Sequence, residues 1–184
     1  MNLEKLFETQ KVLDAAIIKK KGLEGRDMLP EKILALQVEL GELANEWRGF
    51  KFWSEDREPR THYVEGGMTY GTFRNPLLEE YVDCLHFILS IGLGLNMQHV
   101  ELAIDSDYTR STAIKTFNQL YRVVAELETR AELGGRDDLV DLYEILLNLF
   151  VGVGEKFLGF TVDEIESAYF AMNEINHERQ RSGY

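Results

Sequence analysis

A chain of 184 residues with 3 prolines and 1 cysteine, in which 20 basic residues face 32 acidic ones for a net charge of −12, is long enough for one domain with a proper core. That composition excludes collagen-like, low-complexity and disulfide-scaffold classes. Such an acidic surface repels phosphate backbones, so nucleic acid is not an expected partner, while a phosphorylated small molecule is admissible where cations intervene.

The N-terminal stretch MNLEKLFETQKVLD is charged throughout and lacks the apolar run of a signal peptide. A first helix is predicted over residues 2–20, stopping before Gly22 and Gly25. Pro30 opens a second, reaching about Trp47. The connector that follows, residues 54–75, is polar and contains Pro59, Gly66, Gly67 and Gly71. It is long for a structureless loop, which predicts a functional lid or a partner contact.

Asn75 and Pro76 read as cap and first turn of a third helix that ends near Gly92 to Gly94. Within it, residues 84–95 form the most apolar run of the chain, too short for a bilayer, which needs about 20 residues. No membrane partner is expected. Helices over residues 112–130 and 137–158 come next, and a last one begins at Thr161, with Glu164 completing a capping box, and continues towards Gln180. The expectation is one all-α domain over residues 1–184, a bundle of five or more helices. Cys84, alone, closes no internal disulfide and suits a reducing cytoplasm; it reads as an inert core residue.

Chemistry enters with the acids. Glu39, Glu42 and Glu46 stand at i, i+3 and i+7 and fall within about 60° on the second helix. A solvated helix face produces the same stripe. The third helix is different, because Leu77, Leu78, Tyr81, Val82, Leu85, Phe87, Ile88 and Leu89 make it apolar nearly all round, as a central helix is. Glu80 and Asp83 sit one turn apart within it. Burying them costs several kcal/mol each unless cations or donors meet them. Four carboxylates from two facing helices make an oxygen-rich site suited to Mg²⁺. The competing reading places both acids near the helix start, where the dipole favours them and solvent reaches.

Two amides interrupt apolar faces. Gln10 lies in the middle of the stripe of Leu3, Leu6, Phe7, Leu13 and Ile17, and Asn176 and Arg179 continue the face of Ile165, Tyr169 and Met172. Paired donor and acceptor groups suit a nucleobase edge, and arginine suits phosphate. Equally, the amides satisfy backbone groups or each other, and Arg179 pairs with an acid. Lys51 and Trp53, in GFKFWS, offer a cation for phosphate and an aromatic face for a base, although a tryptophan is more often simple core.

The segments LFETQKVLD (6–14), ELGELANEWRGFKFWS (39–54), LLEEYVDCLHFILSIGL (77–93) and YFAMNEINHERQRSGY (169–184) together resemble the dimeric all-helical dUTP pyrophosphatases, dUTPase family 2, within the wider MazG-like nucleotide pyrophosphatases. The paired acidic motifs are common to that superfamily. The N-terminal Gln and the C-terminal Asn-x-x-Asn-x-x-Arg-Gln are more particular to the dUTPase branch.

The resemblance implies a homodimer that hydrolyses dUTP, and dUDP, to dUMP; a central helix too apolar to leave a wet face agrees with a dimer, and helix three and residues 112–130 are the expected interface. It implies Mg²⁺ ligands at Glu39, Glu42, Glu80 and Asp83, with Glu42 taking the proton of the attacking water. It further implies uracil contacts at Gln10 and Asn176, while Asn173 and Arg179 fall in a terminal motif that closes over substrate. Met172 stands where the family often has lysine, so a phosphate contact is absent or comes from Lys51, Arg48 or the connector.

Three rivals are weighed beside this reading. One is a sibling pyrophosphatase for another nucleotide such as dCTP. A second is a ferritin-like di-iron protein, suggested by Asp83-x-x-His86 and Glu174-x-x-His177. It is disfavoured because Glu174 and His177 lie opposite the face of Ile165, Tyr169 and Asn176. A non-enzymatic helical interaction module is the third.

Overall fold

A computed structural model describes residues 1–65 and 72–183. Six long helices dominate: α1 (Leu3–Lys21), α2 (Leu29–Trp47), α3 (Pro76–Gly94), α4 (Ala113–Leu133), α5 (Arg136–Val153) and α6 (Val162–Ser182). The fold is all-α. Their ends follow local chemistry. Asn75 accepts the Leu78 amide 3.2 Å away and Pro76 occupies the first turn of α3. Thr161 and Glu164 form a reciprocal capping box at the start of α6. Gly22, at φ 62°, closes α1 in the left-handed conformation.

α3 is the central element. Leu77, Tyr81, Leu85, Ile88, Leu89 and Ile91 are all essentially inaccessible, each worth roughly 1.5–3 kcal/mol of apolar burial. α1, α2 and α6 pack on it. α5 closes the remaining side, where the Tyr81 hydroxyl donates to the Phe150 carbonyl (3.0 Å) and the Tyr143 hydroxyl donates to that of Ile88 (2.9 Å). This enclosure leaves α3 little surface for a second protomer. Among the described residues no single helix is long and apolar enough to cross a membrane.

Cross-helix contacts give the directions. Gln10 meets His86 and Asp14 meets Ser90, one turn further along both helices, so α1 and α3 run parallel. Asn2 donates to Glu166 and Lys20 to the Gln180 carbonyl, so α1 and α6 are parallel too. α2 and α5 run against α3, since Lys32 reaches Ser90 while Glu39 lies by Asp83, and Tyr143 reaches Ile88 while Tyr81 reaches Phe150.

Two departures from the sequence reading are local. The polar connector contains a two-stranded antiparallel ribbon, β1 (Tyr63–Glu65) and β2 (Thr72–Arg74), with Val64 opposite Phe73. Its β-branched and aromatic residues favour the pleat; Gly66, Gly67 and Gly71 lie outside the described residues. The helix expected over residues 137–158 is regular only to Val153, and Gly154–Leu158 forms a wider π turn. A β-carbon on Gly154 would stand 2.6 Å from the Tyr81 hydroxyl, so the ring fills the space that a side chain would need.

The same fit operates at Gly92, where a β-carbon would meet the Tyr143 hydroxyl at 2.2 Å and the Phe7 ring at 2.9 Å. Gly92→Ala should lower stability by about 1–3 kcal/mol through overpacking. Gly94→Ala, with nothing within 4 Å of its β-carbon, should change it by less than about 0.5 kcal/mol. Urea denaturation of the two variants beside the parent separates these outcomes.

Candidate active site

α2 and α3 bring three acids together. Oxygens of Glu39, Glu80 and Asp83 lie within 4.8 Å of one another, each side chain half-buried. Burial pushes Glu39 up to about 7, with repulsion from Asp83 and then Glu42 adding to it. Glu80 also rises to about 7, first through burial and then through the charge of Glu42. Asp83 rises to about 6, again mainly through burial, and the Arg179 guanidinium partly offsets the rise. The cluster therefore disfavours its own ionisation at neutral pH. An all-oxygen donor set with too much negative charge for its burial fits a hard divalent cation.

Glu42 is exposed and stands beside this triad, near enough for its charge to act on all three members. Glu46, the last acid of the stripe, is held by Arg60 at 3.1 Å and also accepts the Arg60 amide through its carbonyl. The stripe thus divides into an inner ligand-like acid, a rim acid and an anchor for the connector.

A cavity of about 550 Å³ opens from the triad, with Glu39 and Asp83 in its wall, a size suited to a nucleoside. The lining also includes the apolar Leu13, Ile17, Leu23 and Met28. A buried polar network meets the same lining. The Gln10 carboxamide oxygen accepts the Tyr169 hydroxyl (2.9 Å) and faces His86 Nδ1 (2.8 Å), while its nitrogen donates to Asp14 (2.8 Å). Asp14 in turn accepts Ser90 Oγ (2.6 Å) and Lys32 Nζ (3.2 Å). His86 stacks on Tyr169 with centroids 4.3 Å apart. Burial drives the His86 pKa down to about 3, so the ring is neutral at physiological pH.

Of the residues singled out from the sequence, Gln10, Glu39, Asp83, Asn176 and Arg179 line this one cavity. Arg179 Nη1 donates to Asn176 Oδ1 at 3.1 Å. Asn173 is buried one turn from Tyr169 and is not part of the lining. Lys51 donates to Asn45, and Trp53 is 65% exposed beside Phe52; neither lines the cavity. Arg48 is buried, in a left-handed conformation (φ 63°) that ends α2, and grips the Asp56 carbonyl (2.7 Å) and carboxylate (3.0 Å). Glu174 is exposed, and neither it nor His86 gathers with Glu39, Glu80 and Asp83 among the described residues, which leaves the di-iron ligand pattern without geometry.

Sequence reasoning missed Asp14, Lys32, Ser90 and Tyr169 as site residues. The signal was present as two matching spacings: Gln10 and Asp14 on α1, and His86 and Ser90 on α3, each four residues apart on a buried face.

The chain belongs to the dUTPase_2 family of dUTPases, whose family model matches residues 2–184. It is also similar to the dCTP pyrophosphatase of Enterobacteria phage T4, 36% identical over 61 residues, a stretch covering 33% of each chain. The match thus spans a third of that relative's length.

The triad has a stability signature. Its members hold protons to higher pH when folded than at their ordinary values of 4.5 and 3.8, so between about pH 4 and 7 the native chain binds more protons than the unfolded one. Stability then falls as pH rises through that window. In chelator, melting temperature should drop from pH 5 to pH 8, and Glu80→Gln should flatten the drop and melt above the parent at pH 8. Parallel melting profiles for the two proteins would contradict mutual repulsion in the cluster.

Proposed function

We propose that this chain is a Mg²⁺-dependent nucleotide pyrophosphatase that hydrolyses dUTP, and dUDP, to dUMP, acting as a homodimer. The observation that carries the reading is a single cavity running from the carboxylate triad to a wall of buried polar groups. One end suits a phosphate chain and the other a base. Membership of the dUTPase family supports the substrate.

The ligands for Mg²⁺ are Glu39, Glu80 and Asp83, with Glu42 at the rim. Bound there, the ion would neutralise the phosphate chain and acidify water. The remaining work belongs to side chains. Glu42, exposed beside the triad, takes the proton of the attacking water. Arg179, in the same wall and already acting on Asp83, faces the phosphates, where a guanidinium matches paired oxygens. Asp14, Lys32 and Ser90 form a charge-balanced brace behind the base end.

Phe52 and Phe73, 82% and 79% exposed, give the dimer reading an apolar surface outside the core. A second substrate reading, dCTP, is favoured by the similarity to the phage dCTP pyrophosphatase.

Pyrophosphate release measured over dUTP and the four standard dNTPs, with dUDP followed by phosphate release, should give dUTP the highest kcat/KM. A dCTP maximum would install the second reading, and no Mg²⁺-dependent turnover of any nucleotide would overturn both. Glu42→Gln and Asp83→Asn should each lower kcat by roughly 100-fold or more, as loss of a proton acceptor or of a metal ligand does. Helical circular dichroism should be unchanged. Near-parental turnover by either variant at saturating Mg²⁺ would remove that residue from the machinery.

A further inference from the structure

Gln10 and Asn176 are the amides that the family resemblance offers as base readers, yet Gln10 is already engaged on both ends of its carboxamide. Its nitrogen faces the Asp14 carboxylate, which can only accept, so the nitrogen is correctly placed and the oxygen points to Tyr169 and His86. That oxygen accepts, so His86 Nδ1 must carry the ring proton. A neutral imidazole has one such proton. Nε2 is consequently a bare lone pair.

This lone pair has no hydrogen-bond partner among the described residues. His86 is 6% exposed and lines the cavity. Folded proteins seldom leave a buried acceptor unmet away from a functional site. The tautomer, moreover, is enforced by three helices at once, through Gln10 on α1 and Tyr169 on α6, with the ring clamped against Tyr169. A structural histidine needs no such enforcement of one empty acceptor.

A second amide of the cavity lining, Asn176, is oriented by the same logic. Arg179 donates to Asn176 Oδ1, so the Asn176 group left for a ligand is its NH₂. The cavity lining therefore carries an acceptor, His86 Nε2, and a donor, Asn176 Nδ2. A uracil edge shows an N3–H beside a carbonyl and complements that pair. A cytosine edge shows a bare N3 beside an NH₂ and opposes both.

We propose that His86 is the base-selecting residue, its Nε2 accepting the N3–H of a uracil ring, with Gln10 and Tyr169 as positioning residues that hold the tautomer. The proposal rests on the nucleotide pyrophosphatase reading and deepens it to a choice of base.

The test is kcat/KM for dUTP, dCTP, N3-methyl-dUTP and 2′,3′-dideoxy-UTP, by pyrophosphate release with Mg²⁺, for the parent, His86→Asn and His86→Gln. Asparagine keeps an N–H for Gln10 and removes only the acceptor at the depth of Nε2; glutamine restores an acceptor there. The parent should reject N3-methyl-dUTP by 100-fold or more. His86→Asn should lower the dUTP/dCTP ratio tenfold or more and shrink the methyl penalty, and His86→Gln should recover part of both.

An unchanged ratio and methyl penalty in His86→Asn would overturn the proposal. So would a parent that turns over N3-methyl-dUTP as readily as dUTP, an outcome that needs no variant to fold. Rejection of the dideoxy nucleotide that His86→Asn abolishes would assign Nε2 to a sugar hydroxyl and overturn the base reading. If the parent releases no pyrophosphate from any nucleotide, the functional reading itself falls. Normal turnover with unaltered selectivity removes His86 alone.

Discussion

Three carboxylates held within 4.8 Å of one another against the most buried helix of the protein form the constraint on which the site depends. Packing forces them together: Leu36, Leu40 and Leu43 of α2 and Val82 and Leu85 of α3 have no exposure to give up, and Glu39 and Asp83 are carried in with them. The strain appears as raised proton affinity, up to about 7 at Glu39 and Glu80. Apolar burial on both helices offsets the repulsion, and the cluster becomes a place where added positive charge stabilises the fold.

The parallel set α1, α3 and α6 explains how the polar wall stays rigid. Helices in register place residues four apart at matching heights. One layer holds Gln10, His86 and Tyr169; the next holds Asp14 and Ser90, with Lys32 entering from α2. Parallel neighbours cannot be joined by short turns. The chain must return through α2 between the first pair and through α4 and α5 before the last. The lengths of those connections are a consequence of the layered site as much as of the core.

Much of the fold was legible because helix termini carry their signals locally. Asn75–Pro76, Thr112 and Thr161–Glu164 cap helices where the sequence places them, and the two acidic motifs identify the helices that face each other. The ribbon at Tyr63–Glu65 and Thr72–Arg74 was hidden, since three-residue strands carry no periodicity to read. The break at Gly154 depends on the Tyr81 ring from another helix, and the left-handed Arg48 depends on Asp56; neither is a local property. Gln10 shows the same limit at the site. Its place on a buried face was readable, but which atoms it spends on Asp14, His86 and Tyr169 is decided by its own next turn together with α3 and α6.

An acidic protein that accepts a polyanion has to localise positive charge without cancelling its own. Here the cations lining the cavity are few and braced: Lys32 against Asp14 at 3.2 Å, Arg26 against Glu31, and Arg179 on α6, whose amide neighbour Asn176 meets it at 3.1 Å. Arg179 lies within the electrostatic reach of Asp83, so the last helix adds a guanidinium whose charge acts on the triad. The first and last helices are tied at both ends, by Asn2 to Glu166 and by Lys20 to the Gln180 carbonyl. The position of Arg179 in the cavity lining therefore depends on α1 as much as on α6. A nucleotide in the cavity would lie between groups drawn from residue 10 to residue 179, and the connection between base end and phosphate end is α3 itself, with His86 one turn beyond Asp83.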